Sequence, residues 1–231
     1  MLNSVAFIPD GNRRYALLNN IPFLKSYQLG TQKAWEVLDW LKDYPKVKAG
    51  TFYTLSLENL TRNKAELMIL LSIFEKELDK VINSDYFGIN DIKLKFLGRI
   101  DSFPEKTREK IFKAEEATEN NKGKTINLAL GYNGQAEIVD AAKKIALMHK
   151  ENNLDLNSLD EESFKDFLYS NFPDPDLIIR TSGTKRLSGF LTYQSSYSEL
   201  YFSQNFWPEF SKQDLEKAVA EFSERERRFG K

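Results

Sequence analysis

Val5-Ala6-Phe7-Ile8-Pro9-Asp10-Gly11-Asn12-Arg13-Arg14 reads as a strand, a turn and a helix start. Its first four residues are apolar, with β-branched and aromatic members, the pattern of a short buried strand. Pro9 stops the strand because it has no N–H for a ladder, and Gly11 admits a positive φ at the turn. Arg13-Arg14-Tyr15-Ala16-Leu17-Leu18 then opens a helix. A strand–turn–helix junction gathers free backbone N–H groups at one point, where an anion is favoured. Asp10 opposes a bare anion, so the stretch fits a phosphate cradle in which a carboxylate holds a hard metal, Mg²⁺. It also fits an Asp10 N-cap beside solvated arginines. The stretch alone leaves both open.

Composition narrows the chemistry. The chain has 231 residues, 41% hydrophobic and 29% charged, enough for one large α/β domain or two small ones. The polar stretch 151–160 is too short to divide it, so one domain over 1–231 is expected. A formal net charge of −1 gives no general field for nucleic acid, and any anion site must be a local arginine cluster. The absence of cysteine excludes disulfides, thiolate nucleophiles and Cys-bound zinc. A single histidine, His149, excludes multi-histidine metal sites, and its polar-flanked place at a helix end argues against a Ser-His-Asp triad. Catalysis therefore falls to carboxylates, arginines, hydroxyls, amides and a hard metal. No apolar run approaches the roughly 20 residues of a bilayer span, and no signal peptide is visible, so a cytoplasmic protein is expected.

Six apolar runs predict strands at 5–8, 49–55, 92–97, 125–130, 177–180 and 199–202. Helical patterns fall between most of them, clearest at 30–43, 64–82, 104–120 and 134–149, and another at 212–222. Such alternation implies right-handed crossovers and a single α/β domain, with a mostly parallel six-stranded sheet flanked by helices. Ligands then bind beyond the carboxyl ends of the strands. Past the second strand stand Ser56-Leu57-Glu58-Asn59 and Arg62; Thr61 or Asn63 would cap the next helix, with Glu66 completing a capping box. That helix carries Leu67, Leu70, Leu71, Phe74 and Leu78 in a stripe that fits core packing or an apolar tunnel. The fifth strand ends on Arg180 and opens into Thr181-Ser182-Gly183-Thr184-Lys185-Arg186-Leu187-Ser188, whose forked donors suit phosphate oxygens. Glu199, at the start of the sixth strand, is a second candidate metal carboxylate, and the aromatics Phe206, Trp207 and Phe210 follow as core or subunit interface.

Together, Ile8 to Arg14, Ser56 to Asn59, Asp176 to Gly183, Arg186 to Ser188, Tyr197 to Phe202 and the tail Arg225-Glu226-Arg227-Arg228-Phe229-Gly230 resemble the cis-prenyltransferases. Arg13 after Asn12 is closer to the archaeal or eukaryotic branch. The resemblance implies an Mg²⁺-dependent homodimer that adds isopentenyl diphosphate to an allylic diphosphate, farnesyl or geranylgeranyl. The product would be a Z-polyprenyl diphosphate, precursor of a lipid glycan carrier, with peripheral membrane contact through that lipid. It further implies that Asp10 and Glu199 hold the metal and that Gly11, Asn12, Arg13, Arg14 and Tyr15 surround the allylic diphosphate. Ser56, Leu57, Glu58 and Arg62 would line the substrate site, and Asn59 would stand near the proton that is lost. Arg180, Arg186, Leu187 and Ser188 would hold isopentenyl diphosphate, completed by Arg228 and Gly230 from the other subunit. The chain departs from the family pattern at Phe23 (with Lys25 nearby), Tyr27, Leu60 and Gly134-Gln135. Two alternatives are a phosphohydrolase with Asp10 as nucleophile, which would want an acid where Asn12 stands, and a non-catalytic partner subunit.

Overall fold

Residues 1–61, 63–169 and 171–224 are described by the computed structural model. Six strands form one sheet: β1 Ser4–Ile8, β2 Ala49–Ser56, β3 Ile92–Leu97, β4 Lys124–Tyr132, β5 Leu177–Arg180 and β6 Glu199–Phe202. Their order is β3-β4-β2-β1-β5-β6, and every neighbouring pair is parallel. All five residues of β1 are buried, as expected of a central parallel strand covered on both faces. From β1 the chain turns to β2 on one side and reaches β5 on the other, so the strand order reverses between β1 and β5. A crevice opens at the carboxyl ends of such a pair.

Eight helices flank the sheet among the described residues: α1 Asn12–Leu18, α2 Phe23–Trp40, α3 Leu57–Leu60, α4 Lys64–Asn83, α5 Tyr86–Ile89, α6 Glu105–Glu116, α7 Gly134–Lys150 and α8 Lys212–Glu224. Val5 and Phe7 join a core with Leu38 of α2, Leu78 of α4, Ile111 of α6 and Phe222 of α8. Ala6 and Ile8, on the opposite face of β1, pack with Tyr132, Phe190 and Leu191. No helix among the described residues is long and apolar enough to cross a membrane.

The helix predicted over 30–43 begins seven residues earlier, directly after Pro22, which sits at its N-cap with φ −59°. Gly30 is therefore mid-helix. It is a point of close approach, where a Cβ would lie 2.3 Å from Asn12 Oδ1, and its carbonyl accepts from Trp207 Nε1 at 2.7 Å. The helix predicted over 104–120 stops at Glu116, and Thr118 turns its hydroxyl inward to accept from the Leu94 N–H at 3.0 Å. β4 runs two residues past the predicted end because it stays paired with β2, through a register shift, as far as Tyr132 opposite Ser56.

Candidate active site

The crevice is built where β1 and β5 end together. Ile8 pairs with Arg180, and the residues that follow each strand meet across the gap. Thr181 ties the two turns, its hydroxyl donating to the Asp10 carbonyl at 2.7 Å and accepting the Asp10 N–H at 2.9 Å. Gly11 then takes φ 106°, a left-handed conformation natural to glycine, and α1 starts at Asn12. A Cβ at Gly11 would meet the Phe206 ring at 2.5 Å, so close packing demands glycine as well.

Asp10 lies between two arginines. Arg180 Nη2 donates to its Oδ2 at 2.7 Å, and Arg14 Nη2 is 3.3 Å from its Oδ1. Burial raises the Asp10 pKa, but the hydrogen bond and charge of Arg180, with the charge of Arg14, outweigh it and hold the carboxyl below its ordinary value. Arg180 is 4% exposed, and its other fork donates to Ser188 Oγ at 2.8 Å and to the Arg186 carbonyl. Arg186 Nε reaches the same Ser188 oxygen at 3.3 Å. Ser182 and Ser188 both adopt positive φ, 76° and 53°, an uncommon conformation for residues with a side chain. Arg14 donates to Ser182 Oγ at 2.5 Å and lies over the Phe206 ring, 5.5 Å from its centroid.

A third group enters from β2. Ser56 and Asn59 form a capping box around α3: the Asn59 N–H donates to Ser56 Oγ, and the Ser56 N–H donates to Asn59 Oδ1, each at 3.2 Å. The box predicted at Thr61 or Asn63 is instead simple capping by Asn63, which accepts the Ala65 N–H at 2.8 Å. Glu66 is not part of it: it accepts from Tyr27 Oη at 2.7 Å and faces Arg13 at 3.8 Å. Glu58 accepts from Asn133 Nδ2 at 2.8 Å. Burial raises the Glu58 pKa, but hydrogen bonds from its own backbone, Ser56 and Asn133 carry it below the usual value.

These groups surround one cavity of about 470 Å³. Asp10, Gly11, Asn12, Arg13, Arg14, Ser56, Asn59, Arg180 and Ser188 line its polar end. Leu38, Leu70, Phe74, Leu78, Phe87, Leu94 and Ile126 line the rest, so the stripe on α4 faces a tunnel as well as the core. A second cavity adjoins it and shares Tyr53, Ser56 and Ser188; Glu58, Asn133, Gln135 and Leu187 line it too. Tyr15, Leu57 and Arg186 line neither. Among the departures from the family pattern, Phe23 lies beneath Arg13 at 5.5 Å, Tyr27 lines the main cavity, and Gln135 lines the second.

Glu199 opens β6. Its register partner is Leu177, at the start of β5, whereas Asp10 follows the end of β1. The two carboxylates thus stand at opposite ends of the sheet within one chain, and they form no pair. No group of three or more His, Cys, Asp or Glu suited to a metal occurs among the described residues. Arg62, Arg228 and Gly230 lie outside the described residues.

One contributor was absent from the sequence reading, and a second was read only as part of the loop after Arg180. Tyr53 donates to the carbonyls of Tyr132 and Ser188, at 3.1 and 3.2 Å, and so props the Ser188 turn against β4. Thr181 joins the two strand ends. Its place directly after Arg180 was the available signal; Tyr53, inside a strand, gave none.

Comparison with known proteins now adds to this geometry. The "Putative undecaprenyl diphosphate synthase" family model matches residues 8–230. A Thermoplasma volcanium protein is 42% identical over 228 residues, covering 98% of this chain and 88% of that protein. It is named tritrans,polycis-undecaprenyl-diphosphate synthase (geranylgeranyl-diphosphate specific). An isoprenyl transferase of Thermus thermophilus is 38% identical over 236 residues, covering 100% of this chain and 89% of that one. The crystal structure of lavandulyl diphosphate synthase from Lavandula x intermedia, in complex with dimethylallyl diphosphate, superposes with a TM-score of 0.92 at 32% identity, covering 100% and 98% of the two chains. With a parallel sheet, an arginine-lined crevice opening on an apolar tunnel, and relatives matched end to end, this chain belongs to the cis-prenyltransferase family, the enzymes of undecaprenyl diphosphate synthesis.

Proposed function

We propose that residues 1–231 form one catalytic domain that extends an allylic diphosphate with isopentenyl diphosphate units to a Z-polyprenyl diphosphate. One observation carries this reading: a single cavity joins a cationic mouth to a long apolar interior. A diphosphate head and a hydrocarbon tail need those two environments side by side. Geranylgeranyl diphosphate is the proposed starter, supported by the names of the archaeal relatives.

The residues divide the work. The α1 N-terminus, Gly11, Asn12, Arg13 and Arg14 hold the allylic diphosphate, while Arg180, Arg186 and Ser188 hold the isopentenyl diphosphate. Breaking the allylic C–O bond moves negative charge onto the departing diphosphate, and fixed N–H groups and arginines stabilise that charge without reorganising. The new carbon–carbon bond leaves a cation on the isopentenyl unit, which loses a proton readily, so no strong base is required. Asn59 keeps its carbonyl oxygen on the Ser56 N–H. It therefore serves as an orienting donor, and diphosphate oxygen accepts the proton. Mg²⁺ fits the donor set: Asp10 supplies a carboxylate, and Asn12 Oδ1 is a buried acceptor without a hydrogen-bond partner. Bound there, the ion would add Lewis-acid stabilisation of the leaving diphosphate.

A homodimer with peripheral membrane contact completes this reading, with Arg228 and Gly230 reaching the partner's site. Truncation before Arg228 would abolish most activity, and mixing that variant with Asp10→Ala would restore a substantial fraction. A mixed dimer that stays inactive would rule out the trans role.

The decisive assay supplies labelled isopentenyl diphosphate with geranylgeranyl or farnesyl diphosphate, with and without Mg²⁺, and resolves the products by size. Mg²⁺-dependent polyprenyl diphosphates are expected. Phosphate release without chain growth would instead point to a phosphohydrolase, and no turnover without a second protein would point to a partner subunit.

A further inference from the structure

Exposed large apolar side chains are scattered singly over the described surface, with one exception. Leu17 and Leu18 are neighbours at the end of α1, 71% and 74% exposed, and Leu24 in the first turn of α2 is 44% exposed. Residues 19–22 join the two helices, and the Ile21 N–H closes this turn on the Ala16 carbonyl at 3.0 Å. Arg13 lies over the Phe23 ring at 5.5 Å, and Leu17 stands one helical turn beyond Arg13. Ser26 fastens α2 to α1, its hydroxyl donating to the Asn12 carbonyl at 2.6 Å. The three leucines thus share one fixed hairpin. Ala16 supplies the buried contact of α1, so Leu17 and Leu18 do not serve the fold.

The charge of this hairpin is one-sided. The whole chain carries a net charge of −1, yet residues 11–32 contain Arg13, Arg14 and Lys25 and no acid. Asp10, at the base, is held by Arg14 and Arg180. Glu66, which faces Arg13 from α4, has a side chain only 14% exposed. Exposed leucines among cations fit the interface of an anionic bilayer, where apolar side chains enter the acyl boundary and cations meet headgroup phosphates. A second copy seated on the same face by two-fold symmetry would instead set cation against cation.

Location supplies the other half of the argument. α1 begins at the cavity mouth, which Asn12, Arg13 and Arg14 line, and the leucines follow one turn later. A polyprenyl tail that left the cavity through water would expose every methylene on the way. Taking the proposed polyprenyl product as given, we propose that the α1–α2 hairpin docks the cavity mouth on an anionic lipid bilayer. The product then passes from the apolar interior into lipid without crossing water.

The test reads binding without substrate. Purified full-length protein would be sedimented with phosphatidylcholine–phosphatidylglycerol vesicles and with pure phosphatidylcholine vesicles. The unmodified protein should bind the anionic vesicles more tightly than the neutral ones. Leu17→Ser combined with Leu18→Ser should weaken that binding about tenfold or more, and Lys25→Glu about fivefold. Leu147→Ser, the same exchange at an exposed leucine of α7, should leave it unchanged. The first condensation in detergent should stay within about twofold in the double serine variant, because the mouth residues are untouched. No vesicle binding by the unmodified protein, or full binding by the double serine variant, overturns the proposal. So does a dimer that dissociates in that variant by light scattering, which would make the hairpin a subunit contact. If the double serine variant fails to fold, Lys25→Glu decides by the same loss. Vesicle binding as expected from a protein that makes no polyprenyl product would overturn the functional assignment and not the docking.

Discussion

Arg180 and Arg14 both grip Asp10, yet they are different devices. The Arg180 side chain is 5% exposed and spends its two forks on Asp10, Ser188 and the Arg186 carbonyl. Arg14, 47% exposed, rests on a ring and touches Asp10 at 3.3 Å. The first is a fixed strut between two loops; the second is a movable hand at the rim. In the proposed reaction their ligands would differ in the same sense: the Arg14 cradle takes allylic diphosphates of growing length and releases free diphosphate, while the Arg180 cradle reloads with an identical isopentenyl unit each cycle. A cradle that reloads with one ligand gains from rigidity, because little ordering is left to be done on binding.

Substitutions can break this contrast, beginning with the residue both arginines share. Asp10→Ala should lower kcat by about 10²–10³, the scale for losing one electrostatic contact to the reacting centre; near-normal turnover would refute its role. Arg180→Ala should come next, raising KM for isopentenyl diphosphate more than for the starter. Because it also removes a buried charge from a bonded network, it should cost roughly 3 kcal/mol of unfolding free energy by denaturant titration. Arg14→Ala should raise KM for the allylic diphosphate about tenfold, while stability stays within about 0.5 kcal/mol. Equal stability losses in the two arginine variants would erase the distinction between strut and hand.

A pH titration sharpens the comparison with the smallest effect. Arg180 and Arg14 hold the Asp10 pKa below its ordinary value against the opposing effect of burial. Its contribution to stability is therefore full above the unfolded-state pKa and is lost as pH falls through the folded one. The stability difference between the unmodified protein and Asp10→Asn should shrink on acidification below the ordinary aspartate range. A gap independent of pH would mean that the ionised carboxylate is not what the arginines stabilise. Glu137 runs the other way: burial raises its pKa although Tyr132, Gln194 and the Tyr169 N–H all donate to it. Its contribution falls as pH rises out of the carboxylate range.

The sequence made much of this legible. β3, β5 and β6 fall on the predicted residues because apolar runs with turn residues at their ends leave little freedom. Asp10 and Arg180 were readable as candidate site residues because one follows a buried strand and the other ends one. Their direct ion pair was not, since it depends on β1 and β5 being neighbours, and no local pattern encodes that. Within one chain Glu199 stands away from Asp10 for a geometric reason: in a parallel sheet all strand starts lie at one end, and Asp10 follows a strand end.

The position of β1 also governs when this protein becomes active. One flank of β1 is β2, about 45 residues on, but the other is β5, roughly 170 residues away. Asp10 leaves the ribosome early and remains without Arg180 until nearly the whole chain has been made. Loop closure over such a distance is slow relative to local helix formation, so the sheet around β1 completes late. The N-terminal half can build its β2–β4 core first, yet both anion cradles arise together in a final step. A nascent or C-terminally truncated chain lacking β5 has no crevice to bind diphosphate, and substrate can stabilise only the finished fold.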